Sequence, residues 1–179
     1  TLLLDCGLIQ GGERPDVRNR QPFPFDAAAI DAVVLSHAHI DHGGRLPLLR
    51  KRGFRGPIYA TPACRELARI LLADSAFMAE REAERYRRRQ AEHGNRHARG
   101  FPDPLFTRVD ADETIQQFKP VGYGRATEVL PGVTLTFRDA GHILGSASVG
   151  LRVDDDSRQC KLVFSADPGH AAMPRLRDP

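Results

Sequence analysis

No stretch of this 179-residue chain approaches the roughly 20 consecutive apolar residues that a membrane-spanning helix requires. A membrane partner is therefore not expected. No signal peptide is visible, and the strand-like Thr1-Leu2-Leu3-Leu4 opens without a preceding turn, as a piece of a longer chain would. Cysteine is scarce: Cys6, Cys64 and Cys160 are odd in number, far apart and form no CxxC pair. A disulfide framework is thus not expected; buried, reduced thiols in a cytoplasmic protein are. There is no internal repeat. Gly11-Gly12 and Gly43-Gly44 lack the lysine and spacing of a phosphate-cradling P-loop, and no serine or cysteine stands in a nucleophile arrangement. A strong excess of one charge is also missing. The net charge of +3 and pI near 9.0 favour a polyanionic partner only mildly.

What is present fits one globular domain with a substantial core: 41% of residues are apolar and 27% charged. Leu2 to Leu4 read as a buried strand, and Gly7 to Pro24 as a long loop. Ala32-Val33-Val34-Leu35 reads as a buried strand that ends at Ser36. A helix is expected over Arg45 to Arg52, closed by Gly53, and a strand at Ile58-Tyr59-Ala60. Thr61-Pro62 supplies a capping hydroxyl and a first-turn proline. Leu67, Ile70, Leu71, Phe77 and Met78 then recur at helical spacing, with the helix running to about Gln90 and broken over Glu92 to Gly100. Asp110 and Glu113 resemble a capping box for a short helix through Phe118. Val133, Leu135 and Phe137 alternate with polar residues, as do Val149, Leu151 and Val153. Asp154 to Ser157 reads as a hairpin turn, and Leu162 to Phe164 as a returning strand. Mixed strands and helices, with His and Asp in loops at strand ends, suit a layered α/β architecture.

Four potential ligands, His37, His39, Asp41 and His42, fall within six residues just after a buried strand. Imidazole nitrogen and carboxylate oxygen form a set that zinc accepts. In a tight loop His37 and His39 can point to one ion, with Asp41 and His42 turned toward a second. A single histidine is ordinarily a satisfied core or surface residue; four such groups at this spacing are not. Far along the chain, His142 follows the alternating strand between glycines, and Asp167 follows the strand ending at Phe164. Each alone reads as a turn residue; their shared position at strand ends promotes them.

His37-Ala38-His39-Ile40-Asp41-His42 resembles the HxHxDH motif of the metallo-β-lactamase superfamily. Asp5 in Leu4-Asp5-Cys6-Gly7 is similar to its early aspartate, and His142 and Asp167 to its third and fourth motifs. Ala140-Gly141-His142-Ile143-Leu144-Gly145-Ser146-Ala147 resembles the AGHxLGSA form of β-CASP nucleases. That form marks the RNA-processing branch, which includes the cleavage and polyadenylation endonuclease subunit and its bacterial and archaeal relatives. Phe164-Ser165-Ala166-Asp167-Pro168-Gly169-His170 is similar to FSGDxGR, and Phe106 to Gly124 looks like the bacterial members. The resemblance implies a four-layer αββα fold, partial over residues 1–179. It implies a first metal on His37, His39 and His142, a second on Asp41 and His42, and Asp167 bridging the two. Asp5 would stand behind the ligands and orient the histidine loop. Ala166 stands where the family has glycine, and His170 where it has arginine; His170 reads as a solvated loop residue. In the family a β-CASP domain and a final metal-binding histidine follow this stretch. On that expectation the second metal lacks one ligand here, and the piece binds metal yet cleaves poorly.

The expected activity is hydrolysis of RNA phosphodiester bonds by water activated between two zinc ions. Asp41 is the catalytic candidate, orienting the nucleophile as well as binding metal. The alternatives are a small-molecule hydrolase on the same fold, such as a thioesterase or lactamase, and a non-catalytic scaffold in an RNA-processing complex. The oligomeric state is left open, a homodimer among the options. The densest positive stretch holds Arg81, Arg85, Arg87, Arg88, Arg89, Arg96 and Arg99. Glu80, Glu82, Glu84 and Glu92 balance it, so it reads as a solvated helix face rather than a phosphate contact. His93 and His97 are four apart, but Gly94 and Asn95 break helices, so both read as surface residues.

Overall fold

A computed structural model of the chain describes residues 1–93, 100–155 and 158–170, leaving aside the side chains of His93, Asp155 and Arg158. Two four-stranded sheets form its centre. Sheet A is parallel, in the order β1 (Leu2–Leu4), β2 (Ala32–Val34), β3 (Ile58–Ala60), β4 (Phe118–Pro120). Parallel strands are covered on both faces and so need apolar residues at consecutive positions. β2 meets this fully, with Ala32, Val33 and Val34 all buried. Sheet B is antiparallel, in the order β5 (Thr127–Leu130), β6 (Val133–Asp139), β7 (Ala147–Asp155), β8 (Arg158–Phe164). Leu135 faces Leu151 and Phe137 faces Val149 on its inner side, while Thr134, Thr136 and Arg138 alternate outward.

Five α-helices accompany the sheets among the described residues: α1 (Pro15–Arg18), α2 (Ile40–Gly43), α3 (Leu46–Lys51), α4 (Pro62–His93) and α5 (Arg108–Gln116). Two cores follow from the layering. Val33, Leu35, Ile58 and Ala60 meet Leu46, Leu49, Ala68, Leu72 and Phe106 on the helix side of sheet A. Val34 and Val121 meet Leu135, Phe137, Val149 and Leu151 between the sheets. Helices, sheet A and sheet B thus stack as the successive layers expected of a partial αββα fold. Full burial of a side chain such as Phe54 or Leu35 stabilises by roughly 1.5–3 kcal/mol.

Several expectations are corrected. Leu2, Leu3 and Leu4 are only partly buried, because β1 is an edge strand of sheet A. The loop after Gly7 contains the one-turn α1. The cap of α5 is Thr107, not Asp110: Thr107 Oγ1 accepts from Asp110 N, and Asp110 Oδ2 accepts from Thr107 N. Phe118 opens β4 rather than closing that helix, because its short strand pairs in register with Ile58. Along α4, Leu67 and Leu71 pack on the core, but Ile70, Phe77 and Met78 are each more than half exposed. Cys6 and Cys64 are buried and free as expected, whereas Cys160 is exposed at the outer strand of sheet B. Burial pushes the Cys6 and Cys64 thiols up to about 12, which keeps them as inert core residues. Arg81, Arg85, Arg87, Arg88 and Arg89 are exposed on α4, with Arg88 paired to Glu92, as a solvated face requires. Gly94, Asn95, Arg96, His97, Arg99 and the turn at Asp156 and Ser157 lie outside the described residues. No helix among the described residues is long and apolar enough to cross a membrane.

Candidate metal centre

Parallel strands end at the same edge of their sheet, and that edge collects the polar loops. Asp5 follows β1, and its N–H donates to the Val34 carbonyl of β2 (3.0 Å). Ser36 to His42 follow β2 directly. The loop is held against the β1 end by two backbone bonds, Cys6 N to His42 O (2.7 Å) and Leu8 N to Ile40 O (2.9 Å). Gly7 lies so close that an added Cβ would overlap the Asp41 carbonyl. From sheet B, the loop after β6 brings His142 and the end of β8 brings Asp167. Ala147 N donates to Ser36 O (2.9 Å) and Gly169 N to Ala140 O (2.7 Å), joining these loops to the first.

Three imidazole nitrogens converge. His37 Nε2 is 3.0 Å from His39 Nδ1, and His142 Nε2 is 3.2 Å from the same atom. Asp167 Oδ2 stands 3.8 Å from His37 Nε2, 3.8 Å from His142 Nε2 and 3.5 Å from His42 Nε2. His37, His39, His142 and Asp167 each offer a ligand atom within 4.8 Å of the others. Asp41 Oδ2 is 4.0 Å from His42 Nε2, beside this group. All six expected ligands are therefore brought to one place from both sheets.

The donor set fits a divalent metal. Nitrogens sharing a tetrahedral zinc at about 2.0–2.1 Å stand about 3.3 Å apart, close to the two spacings observed. Three nitrogen lone pairs aimed at one point repel one another without a cation between them. Burial, then the neighbouring His42 and His39, push His37 down to about 4, so its ring stays neutral and keeps its lone pair through the neutral range.

Asp5 sits behind the ligands and organises them. Its Oδ2 accepts from His42 Nδ1 (2.8 Å) and from Ser36 Oγ (2.7 Å), and its Oδ1 accepts from Ser36 N (2.8 Å). With its hydroxyl proton given to Asp5, Ser36 Oγ accepts from His37 Nδ1 (3.1 Å). One carboxylate thereby sets the tautomer of both His42 and His37 and frees their Nε2 atoms. The bond to Asp5 raises the pKa of His42. Ser36 is a residue that the motif reading passed over; only its position between the strand and His37 hinted at it. Ser146 was likewise missed. Its hydroxyl accepts from the backbone N–H of His142 (3.1 Å) and Ile143 (3.2 Å), fixing the turn that presents His142.

Asp167 and His142, with Pro168, Gly169 and His170, line a small cavity of about 410 Å³. His170 is an exposed loop residue, as expected, and its loop lines this cavity. Ala166, where the resemblance called for glycine, has a φ of 51°. That is the left-handed region in which an alanine is strained.

A model described as a beta-lactamase superfamily domain matches residues 1–177. The chain is 36% identical over 178 residues to Ribonuclease TTHA0252 of Thermus thermophilus, covering 99% of this chain and 35% of that protein. It is 34% identical over 171 residues to Transcription termination factor FttA of Methanothermobacter thermautotrophicus, covering 93% of this chain and 23% of that one. The chain thus spans about a third or less of these relatives' lengths. Among solved structures, a B3 metallo-β-lactamase with an active-site glutamic acid aligns with a TM-score of 0.50 at 18% identity, over 97% of this chain and 57% of that one. MEM-A1, a subclass B3 metallo-β-lactamase from a soil metagenome, aligns with the same score and identity, over 97% and 58%.

Proposed function

Because the chain belongs to the beta-lactamase superfamily, we propose that it carries the metal centre of a ribonuclease of the β-CASP RNA-processing branch. The observation that carries this is the meeting of His37, His39, His142 and Asp167 from two sheets at one point. The similarity to a protein named as a ribonuclease, over 99% of this chain, supports RNA as the substrate. On this reading residues 1–179 form the first part of the hydrolase domain, with the β-CASP segment and a last histidine ligand supplied by further chain.

His37 Nε2, His39 Nδ1 and His142 Nε2 would hold one ion, zinc by its preference for such ligands. His42 Nε2 and Asp41 would hold a second, and Asp167, whose carboxylate stands near both groups, would serve each of them. Two divalent metals, when bound, supply Lewis acidity toward a phosphodiester and lower the pKa of water. Asp41, nearly half exposed and 4.0 Å from His42 Nε2, would also orient the attacking water. Asp5 and Ser36 would not touch substrate; they hold the His42 and His37 rings by their Nδ1 atoms and so turn each Nε2 toward the centre. The buried, unpaired Cys6 and Cys64 favour a reducing compartment such as the cytoplasm.

The test is cleavage by the full-length protein of single-stranded RNA and, in parallel, of a chromogenic ester. RNA cutting that stops with EDTA and returns with Zn²⁺ is expected. Hydrolysis of the ester alone would remove the nuclease reading and leave a small-molecule hydrolase. A well-folded protein that retains no metal would favour the scaffold.

A further inference from the structure

A second cavity, of about 600 Å³, opens where β4, the outermost strand of sheet A, meets β5, the outermost strand of sheet B. It shares no wall residue with the histidine cluster. Arg55, Lys119 and Arg125 line it, and no aspartate or glutamate does. Among the described residues none of these three cations is in an ion pair. Arg55 Nη1 donates to the Arg50 and Phe54 carbonyls, which holds its guanidinium in place. The same wall contains Gln117 and Thr127. Their Oε1 and Oγ1 are the buried side-chain atoms left without a hydrogen-bond partner among the described residues. Gln117 is fixed by its Nε2, which donates to Gly56 O (2.8 Å).

Three uncompensated cations in one cavity repel one another, and each unpaired buried polar atom is a cost to the fold. A bound anion with several oxygens offsets the first and can accept from the Thr127 hydroxyl, whereas Gln117 Oε1, itself an acceptor, gains nothing from it. Guanidinium, ammonium and hydroxyl donors are the set that grips phosphate. The volume is that of a nucleotide-sized site, and Tyr59 adds an aromatic wall. We infer that this cavity binds a nucleotide phosphate, and that the nucleotide belongs to an RNA strand reaching beyond the metal centre. The choice of RNA as the source rests on the ribonuclease reading; the anion chemistry of the cavity does not.

The experiment uses the full-length protein and a double variant, Lys119→Gln with Arg125→Gln, both exposed side chains. Binding of a single-stranded RNA is followed by fluorescence anisotropy over a salt series. The variant is expected to bind about tenfold more weakly, with a log K against log salt slope shallower by about one. Its metal content and its rate on a dinucleotide remain those of the parent. The charge-keeping pair Lys119→Arg with Arg125→Lys retains the affinity, which separates charge from folding. Unchanged affinity and slope in the glutamine variant overturn the inference. Calorimetric titration with AMP distinguishes the source. If the parent binds AMP, the variant does not, and RNA affinity is equal in both, the site serves a free nucleotide and the RNA path is overturned. A parent that binds RNA without cutting it sinks the catalytic reading and leaves the cavity standing. A protein that cuts RNA while the glutamine variant binds like the parent sinks the cavity alone.

Discussion

Asp5 receives three hydrogen bonds while adopting a φ of 56°, a conformation that aspartate and asparagine tolerate better than other side chains with a Cβ. Asp5→Asn therefore keeps the backbone but replaces one acceptor oxygen with a donor, which cannot serve both Ser36 and His42. Metal affinity is expected to fall roughly 10- to 100-fold, read by competition with a chromophoric chelator. An unchanged affinity would show that His37 and His42 hold their tautomers without it. Ala166 offers the opposite case. Its φ of 51° is strained, so Ala166→Gly should raise stability by about 1 kcal/mol in a denaturant titration. The motif residues His37, His39, Asp41 and His42 could be read from sequence because the chemistry lies in one local loop. Ser36 could not: its role depends on Asp5, 31 positions away, and serine at a strand end has many ordinary uses.

Among the elements, α4 is fastened to the metal centre by its own cap. Thr61 Oγ1 accepts from Cys64 N (3.2 Å) and donates to Gly145 O (2.6 Å) in the loop that carries His142. Thr61→Ala removes a cap and leaves a buried carbonyl unpaired. The expected loss is about 2 kcal/mol by chemical denaturation, with weaker metal retention because the His142 loop loosens. A loss confined to a few tenths of a kcal/mol would mean that water replaces the hydroxyl. This cap was legible because Thr-Pro carries its own meaning. The start of α5 was not, since Asp110 with Glu113 fits the capping pattern as well as Thr107 with Asp110, and only the chain path decides between them. β4 was missed because three residues, Phe-Lys-Pro, show no alternation; pairing with β3 makes them a strand. The apolar spacing along α4 was real, but part of it, through Ile70, Phe77 and Met78, faces outward. Periodicity identifies a helix without saying which of its faces is covered.

At the scale of the molecule, the proposed ligand set is divided between the sheets. His37, His39, Asp41 and His42 leave sheet A, while His142 and Asp167 leave sheet B. Anything that binds all of them binds only the docked pair of sheets. A ligand at 100 times its dissociation constant stabilises the folded state by about 2.7 kcal/mol. Stripping the metal with EDTA should therefore lower the melting temperature by several degrees, and Zn²⁺ should restore it. A melting curve indifferent to chelation would place the ion outside the sheet interface. Because the ion would clasp two halves of the fold, its loss would reach beyond any chemistry at the site. The two sheets would part more often and protease-sensitive bonds would open, so that supply of the metal would set the abundance of the protein.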